Sequence, residues 1–416
     1  MRFRKRLDIG YRDLFWALSE SLARKPENSD PLDSIDFKQC EILPTLSVRS
    51  GFDLLLECLN LETGSEILMT AITIPDMPRI VSNRNLTPVP LDVDPLTLQP
   101  SVEAIRAAYT EKTKAIVVAH LFGNTLNLEP IARLARELGL ILIEDCAQAF
   151  RTKTSLANSL ADVSMFSFGT IKTHTCLGGG IMVIRDNPNL HRAMSRIHAT
   201  YAAQADSEYA GKIIKALLIK LVTTPYAFRL IYGIARLAGY DYDTAVHRAS
   251  KSFPGDDFFE RIRRRPSKLL LKVMKRRLAS VDENAIAERV SQGERTLQEL
   301  GRFAMIPGSK SQIRAHWVFP ILCDDRRSLI DSFRRNGFDA TDKCSLGLVG
   351  DELGSGDCSM AKALINRLVF LPLDVPLAKD ESELLCDLVR EHALPSPVTH
   401  RDTLLLQQQK QTTAWV

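Results

Sequence analysis

Gly139-Leu140-Ile141-Leu142-Ile143-Glu144-Asp145-Cys146-Ala147-Gln148, then Val163-Ser164-Met165-Phe166-Ser167-Phe168, then Lys172 and Gly178-Gly179-Gly180, form the stretch that decides the fold of this chain. Ile141-Leu142-Ile143 is a short apolar run after a glycine, the pattern of a strand buried on both faces of an α/β sheet. Its two acids stand at the carboxyl end, where open α/β sheets bind ligands. Val163 to Phe168 reads as the next strand, with Ser167 at its end and Lys172 a turn later. The glycines permit a tight turn back into Ile181-Met182-Val183-Ile184. Each residue alone says little: an Asp after a strand is usually a cap, a lysine is usually solvated, and three glycines are usually a turn. The ordered set is far more specific than its members.

An acid at one strand end and a lysine just past the next are what pyridoxal phosphate (PLP) chemistry requires. The lysine amine forms a Schiff base with the cofactor aldehyde, and a carboxylate partners the pyridinium nitrogen. Burial of Lys172 would depress its pKa and make the amine nucleophilic. Gln148 is suited to hydrogen-bond a ring oxygen, and the Ser167 hydroxyl to meet a phosphate. These residues resemble the DegT-type sugar aminotransferases, fold-type I PLP enzymes with a strand-end E-D-x-A-Q, then S-F-x-x-x-K, then a glycine cluster. The resemblance covers roughly residues 40 to 200 and returns more faintly from about 280 to 390. It implies Lys172 as the Schiff-base lysine, Asp145 as the pyridinium partner, Gln148 as a ring contact and Ser167 as a phosphate contact. Relatives with His at the lysine position act as dehydratases, so Lys172 favours transamination.

Upstream, Ser47-Val48-Arg49-Ser50-Gly51 precedes a helical pattern through Leu54, Leu55, Cys58 and Leu59. Free N–H groups at a helix start bind phosphate, although serine there is commonly only a cap. In the family this position reads S-G-T and holds the PLP phosphate; here Phe52 replaces the threonine, leaving Ser50 and Gly51. The family's ring-stacking aromatic corresponds to Ile74, an aliphatic that packs without the aromatic pairing term. Strands are expected at Glu66–Met69, Val89–Val93 and Ala115–Ala119, with a crossover helix over Leu128–Leu138. This alternation indicates a mostly parallel sheet. His120, at the end of the third of these strands, and His174, two residues after the lysine, are the substrate-binding candidates. A satisfied structural histidine is the equal alternative for His120.

The fold class expected is α/β: a fold-type I PLP transferase with a mostly parallel seven-stranded sheet and helices on both faces. Residues 1–40 form an N-terminal helical arm, whose Tyr11–Leu22 has apolar residues at helical spacing. Residues 41–200 form the PLP-binding domain, 201–280 a helical insertion, 281–395 a smaller α+β domain and 396–416 a polar, disordered tail. Within the small domain, a helix over Asp282–Leu300, a strand over Ala315–Pro320, a helix over Leu329–Asn336 and a final strand and helix are expected. In the insertion, Ile213, Ile214, Leu217, Leu218 and Leu221 make an apolar face beside Lys212, Lys215 and Lys220, and Pro225 divides two short basic helices. Packing on a partner subunit and peripheral binding to an anionic membrane are both open for this region. The family's N-Y-R-M-S segment, which reaches the neighbouring subunit's PLP phosphate, finds its nearest match in Arg263-Arg264-Arg265-Pro266-Ser267. Arg263 then replaces an asparagine and would bind phosphate as a fork. The alternative is that these arginines meet the substrate.

Composition sets the outer bounds. The chain has 416 residues, 45% hydrophobic and 25% charged, ordinary for a globular protein. A net charge of +4 leaves no global nucleic-acid footprint. Eight cysteines without Cys-x-x-Cys spacing indicate neither a disulfide framework nor a metal site. The basic start lacks the apolar core of a signal peptide, so a cytoplasmic location is expected, with membrane association as a second option. The functional expectation is an aminotransferase moving an amino group, by analogy from glutamate, to a nucleotide-linked keto-sugar, working as a homodimer. A lipid-linked or hydrophobic carbonyl acceptor, an elimination reaction and a non-catalytic binding or regulatory protein are the alternatives.

Overall fold

The structure, a computed structural model, describes residues 2–23, 40–152, 159–224, 257–350, 358–373 and 377–392, with the single positions 227, 234, 253 and 255. Seven strands form its main sheet: β1 (Glu41–Thr45), β2 (Glu66–Thr70), β3 (Thr87–Leu91), β4 (Thr113–Ala119), β5 (Ile141–Asp145), β6 (Val163–Ser167) and β7 (Gly180–Ile184). Their spatial order is β1-β7-β6-β5-β4-β2-β3. From β6 to β3 every pairing is parallel; β7 alone runs against its neighbours β6 and β1. The mostly parallel α/β architecture expected from the sequence is therefore present.

The strands read as unbroken apolar runs because helices cover both faces. Alternation assigns each residue to a face. Ile67, Met69, Val117, Ile143, Val163, Met165 and Met182 point to the side of helices Val48–Leu59, Asp76–Asn83 and Pro188–Thr200. Leu68, Ile116, Val118 and Leu142 point the other way, towards helices Val102–Ala108 and Glu129–Leu138. On that same side, Phe166, Phe168, Ile181 and Val183 meet a cluster built by helices Tyr11–Leu22, Asp206–Val222 and Lys268–Ala279. The arm and the insertion thus pack together on the sheet beside β6 and β7. Past them, helices Glu283–Leu300, Arg326–Arg335 and Lys379–His392 close over the antiparallel pair Phe319–Leu322 and Leu368–Leu371.

Local differences from the sequence reading have physical causes. The strand expected over Ala315–Pro320 begins at Phe319, because His316 sits at φ 45°, which extended pairing does not tolerate. Ile313–Arg314 pairs instead with Asn124–Thr125. The strand expected over Val89–Val93 lies at Thr87–Leu91, two residues earlier. In the insertion a single helix runs over Asp206–Val222; the second helix expected there, and the tail 396–416, lie outside the described residues.

One close approach fixes where the first sheet-covering helix starts. A Cβ on Gly180, the first residue of β7, would stand 2.8 Å from the Val48 nitrogen and 2.9 Å from the Ser47 carbonyl carbon. Both are backbone atoms and cannot swing aside. Gly180→Ala is expected to lower the unfolding free energy by about 1–3 kcal/mol, as overpacking does, measured by denaturant titration. An unchanged midpoint would contradict this packing.

Candidate active site

The β5/β6 register sets the site. Asp145 stands opposite Met165, and alternation along β6 then puts Ser167 on the same face as Asp145. This is the face covered by helix Val48–Leu59. Glu144 and Ser164 turn to the opposite face. The chain leaves β6 through a loop held mostly by its own backbone. Lys172 N–H donates to the Gly169 carbonyl at 3.0 Å, and Cys176 N–H and Gly178 N–H both donate to the Phe168 carbonyl, at 2.9 and 3.1 Å. Phe168 N–H donates to the Gly179 carbonyl at 3.0 Å, closing the loop against β7. A Cβ on Gly169 would lie 3.7 Å from Ser167 Oγ and 3.8 Å from Lys172 Cγ, so these two side chains flank one residue.

Lys172 and Asp145 sense each other's charge. Burial lowers the Lys172 pKa to about 8; Asp145 pulls it upward, while Arg49 and Lys5 push it further down. Burial raises the pKa of Asp145, opposed by a hydrogen bond from Ala147 N–H at 2.9 Å and by the charges of Lys172 and Arg49. A carboxyl group driven up by burial gains most from a cation brought against it. The Lys172 ammonium rests on an aromatic face, with Nζ 4.2 Å from the centroid of the Trp317 ring. The indole Nε1–H donates to the Ile171 carbonyl at 2.9 Å, and Lys5 Nζ donates to the Trp317 carbonyl at 3.1 Å.

The start of helix Val48–Leu59 supplies the other wall. Ser47 caps it, its Oγ accepting from Ser50 N–H at 3.2 Å and lying 3.0 Å from Ser50 Oγ. Gly51 is held bare by packing, since a Cβ there would be 2.3 Å from Met182 Sδ. Phe52 is fully buried in the sheet-facing cluster, so the residue standing at the family's threonine position serves the core. Arg49 pairs with Asp76 on the next helix. Ile74, half-buried, sits two residues before Asp76 and packs on the same cluster as Phe52. Gln148 Oε1 accepts from Phe122 N–H at 2.7 Å, fixing a turn in which Phe122 has φ 60°. A Cβ on Gly123, in that turn, would be 2.6 Å from Trp317 N, so Gln148 supports the segment against which Trp317 is placed.

Two sequence candidates, His120 and His174, are corrected by this geometry, and a third, Arg263, has a partner within the protomer. His120 is buried beneath the strand ends; its Nδ1 accepts from Leu126 N–H at 3.0 Å, which leaves Nε2 to donate to Glu144 Oε1 at 2.6 Å. Both ring nitrogens are committed, so it does not face a substrate. Glu144 also accepts from Ser164 Oγ at 2.6 Å; burial would raise its pKa, but His120 and the serines hold it down to about 2. His120, Glu144 and Cys146 lie close enough together to suggest a metal site, but these hydrogen bonds already use the His120 nitrogens. His174 turns away from Lys172: its Nε2 meets the Arg277 carbonyl, its N–H donates to Asp8 at 2.7 Å, and its ring stacks on Phe150. Burial and Arg277 lower its pKa to about 4, so the ring stays neutral. Arg263 forks onto Asp53 at 2.8 and 3.1 Å, beside Arg84, which binds the same carboxylate. Within the protomer it ties the insertion to helix Val48–Leu59. Arg49, Trp317 and Lys5 escaped the sequence reading. Arg49 adjoins the quoted Ser50-Gly51, but Trp317 and Lys5 reach the site only through the fold.

Residues 42–227 match the model of the DegT/DnrJ/EryC1/StrS aminotransferase family. GDP-perosamine synthase of Escherichia coli O157:H7 is 35% identical over 143 residues, 34% of this chain and 39% of that protein. L-glutamine:2-deoxy-scyllo-inosose aminotransferase of Streptomyces fradiae is 34% identical over 159 residues, 38% of this chain and 37% of its own. The chain thus spans under two-fifths of these relatives' length. Over nearly the whole chain the fold matches the putative sugar aminotransferase Spr1654 of Streptococcus pneumoniae in its PMP form: TM-score 0.68 at 14% identity, covering 98% of this chain and 100% of that one. The architecture is therefore that of the aminotransferases, and residues 42–227 carry the DegT/DnrJ/EryC1/StrS sequence pattern.

The Lys172 environment yields a signed pH prediction. Labelling of Lys172 in the apoprotein by an amine-reactive ester, followed by peptide mass spectrometry, is expected to rise through a midpoint near pH 8. Asp145→Asn removes the charge that favours the ammonium and moves the midpoint down; Arg49→Gln moves it up. A midpoint at the ordinary lysine value, unmoved by either change, would contradict the described electrostatics.

Proposed function

We propose that the protein is a PLP-dependent aminotransferase that moves an amino group from an amino acid, glutamate by family analogy, to a nucleotide-linked keto-sugar. The observation that carries this reading is the placement of Asp145 at the end of β5 and Lys172 past the end of the adjacent parallel β6, with the lysine pKa drawn down to about 8. The surroundings fit the cofactor chemically. Arg49 and Lys5 both bring positive charge to Lys172, beside Asp145 and the Arg49 partner Asp76, a setting that suits an anionic ligand. The names of the two curated relatives, a perosamine synthase and an inosose aminotransferase, support a sugar-like acceptor.

When bound, PLP supplies the electron sink that lets an amino group be transferred between carbon skeletons. The protein's residues would then have distinct tasks. Lys172 would hold the cofactor through its amine, and its Nζ would be the group that holds and moves a proton beside the reacting atoms. Its lowered pKa leaves a substantial neutral fraction at physiological pH, as a base requires. Asp145 would favour a positive charge on the ring nitrogen. The start of helix Val48–Leu59 at Ser50 and Gly51, with the Ser50 and Ser167 hydroxyls, would hold the phosphate, and Arg49 would add charge there. Gln148 would contact the ring, Ile74 would pack on it, and Trp317 would shield the lysine from water. By analogy with fold-type I enzymes the working form is a homodimer. A second reading, in which the carbonyl acceptor is held at a membrane surface, is favoured by the exposed apolar side chains of the arm and insertion.

With one equivalent of PLP and no acceptor, the protein is expected to convert glutamate into 2-oxoglutarate up to about one equivalent per site. Lys172→Ala is expected to give none. Formation of 2-oxoglutarate by the wild type no faster than by free PLP would overturn the transferase reading.

A further inference from the structure

We propose that helices Tyr11–Leu22 and Asp206–Val222 together form a docking surface for an anionic lipid bilayer. Seven of the twelve exposed large hydrophobic side chains among the described residues lie on these two helices. A soluble helix normally turns polar residues outward. Past Gly211 the exposed positions of Asp206–Val222 are Ile214, Lys215, Leu218, Leu221 and Val222, with Leu218 58% and Leu221 63% exposed. The arm helix adds Phe15 at 59% and Leu22 at 78%. The two sets adjoin: the helices pack on each other, Tyr11 stacks with Phe15 at 6.4 Å, and Lys220 Nζ lies 5.1 Å from the centroid of the Tyr11 ring.

Charge selects the occupant. The acids of these helices turn inward or lie at the far end. Asp13 binds Arg276 and Arg277, Glu20 binds Lys272, Asp206 accepts from Leu269 N–H, and Glu208 binds Arg264. From Tyr209 to Thr224 the chain has no acidic residue but carries Lys212, Lys215 and Lys220. Arg12 and Lys215 are exposed among the apolar side chains. An apolar face interleaved with lysine and arginine and edged by tyrosine is the composition of an interfacial helix on anionic lipid. A second copy of this chain suits the face less well. A two-fold interface sets the same patch against itself, so basic residues would meet basic residues.

The surface is also tied to the site. The arm leading to helix Tyr11–Leu22 supplies Lys5 to the Trp317 carbonyl and Asp8 to the His174 N–H. The inference does not depend on the transferase reading, because lipid binding is read without turnover.

The test is co-sedimentation of the full chain with phosphatidylcholine vesicles, with and without phosphatidylglycerol. Binding to the anionic vesicles, weakened by salt and absent on phosphatidylcholine alone, is expected. Phe15→Ser with Leu218→Ser should weaken it at least about tenfold, through loss of buried apolar area. Arg12→Glu with Lys215→Glu should weaken it and flatten its salt dependence. Both side-chain pairs are exposed, so the thermal midpoint of each variant should match the wild type. The proposal is overturned by absence of binding, by equal binding to neutral vesicles, or by indifference to both double substitutions. It is likewise overturned if Phe15→Ser with Leu218→Ser turns a dimer into a monomer on sizing, since the face would then join two copies of the chain.

Discussion

The structure around the site depends on one electrostatic arrangement: a carboxylate at the end of one parallel strand and an ammonium just past the end of the next, partly out of water. Neither group is comfortable there alone. Burial drives Lys172 towards its neutral form and Asp145 towards its protonated one, and each charge partly restores the other. Water would erase most of this coupling, because the same charges in a high dielectric interact several-fold more weakly. The sheet register, the loop after β6 and the Trp317 ring are what keep the pair in place.

Two supports hold the pair from behind. Beneath the strand ends, Leu126, His120, Glu144, Ser164 and Arg185 form a buried hydrogen-bonded chain. It satisfies Glu144, the first acid of the Glu144-Asp145 doublet, and leaves the Asp145 side chain outside this hydrogen-bonded chain. Beside the site, Gln148 fixes the turn at Phe122, Gly123 in that turn abuts Trp317, and Trp317 covers Lys172. Gln148 therefore links the sheet to the segment Ala315–Phe319, which leads into the antiparallel pair Phe319–Leu322 and Leu368–Leu371.

Much of this was legible in the sequence. Apolar runs ending in acids gave the buried strands, and the order of Asp145, Ser167, Lys172 and the glycines located the strand-end cluster. Residues whose role depends on distant partners were not legible. Trp317 lies 145 positions from Lys172, and nothing local distinguishes it from a core aromatic. His120 and His174 stand at the right places in the chain, but side-chain direction is set by register and by loop conformation. Alternation and the pairing with Glu144 bury the first; a left-handed turn and Arg277 divert the second. Arg263 was matched to a phosphate contact by position, yet Asp53, one helical turn beyond Ser50, takes its fork within the protomer.

The central claim is that the amine at position 172 is the group that captures the cofactor. Incubation with PLP, reduction with borohydride and peptide mapping test it most directly. The account predicts a phosphopyridoxyl mass increment on the peptide containing Lys172, abolished by Lys172→Ala. The increment on another lysine, or scattered over surface lysines in wild type and variant alike, would contradict it.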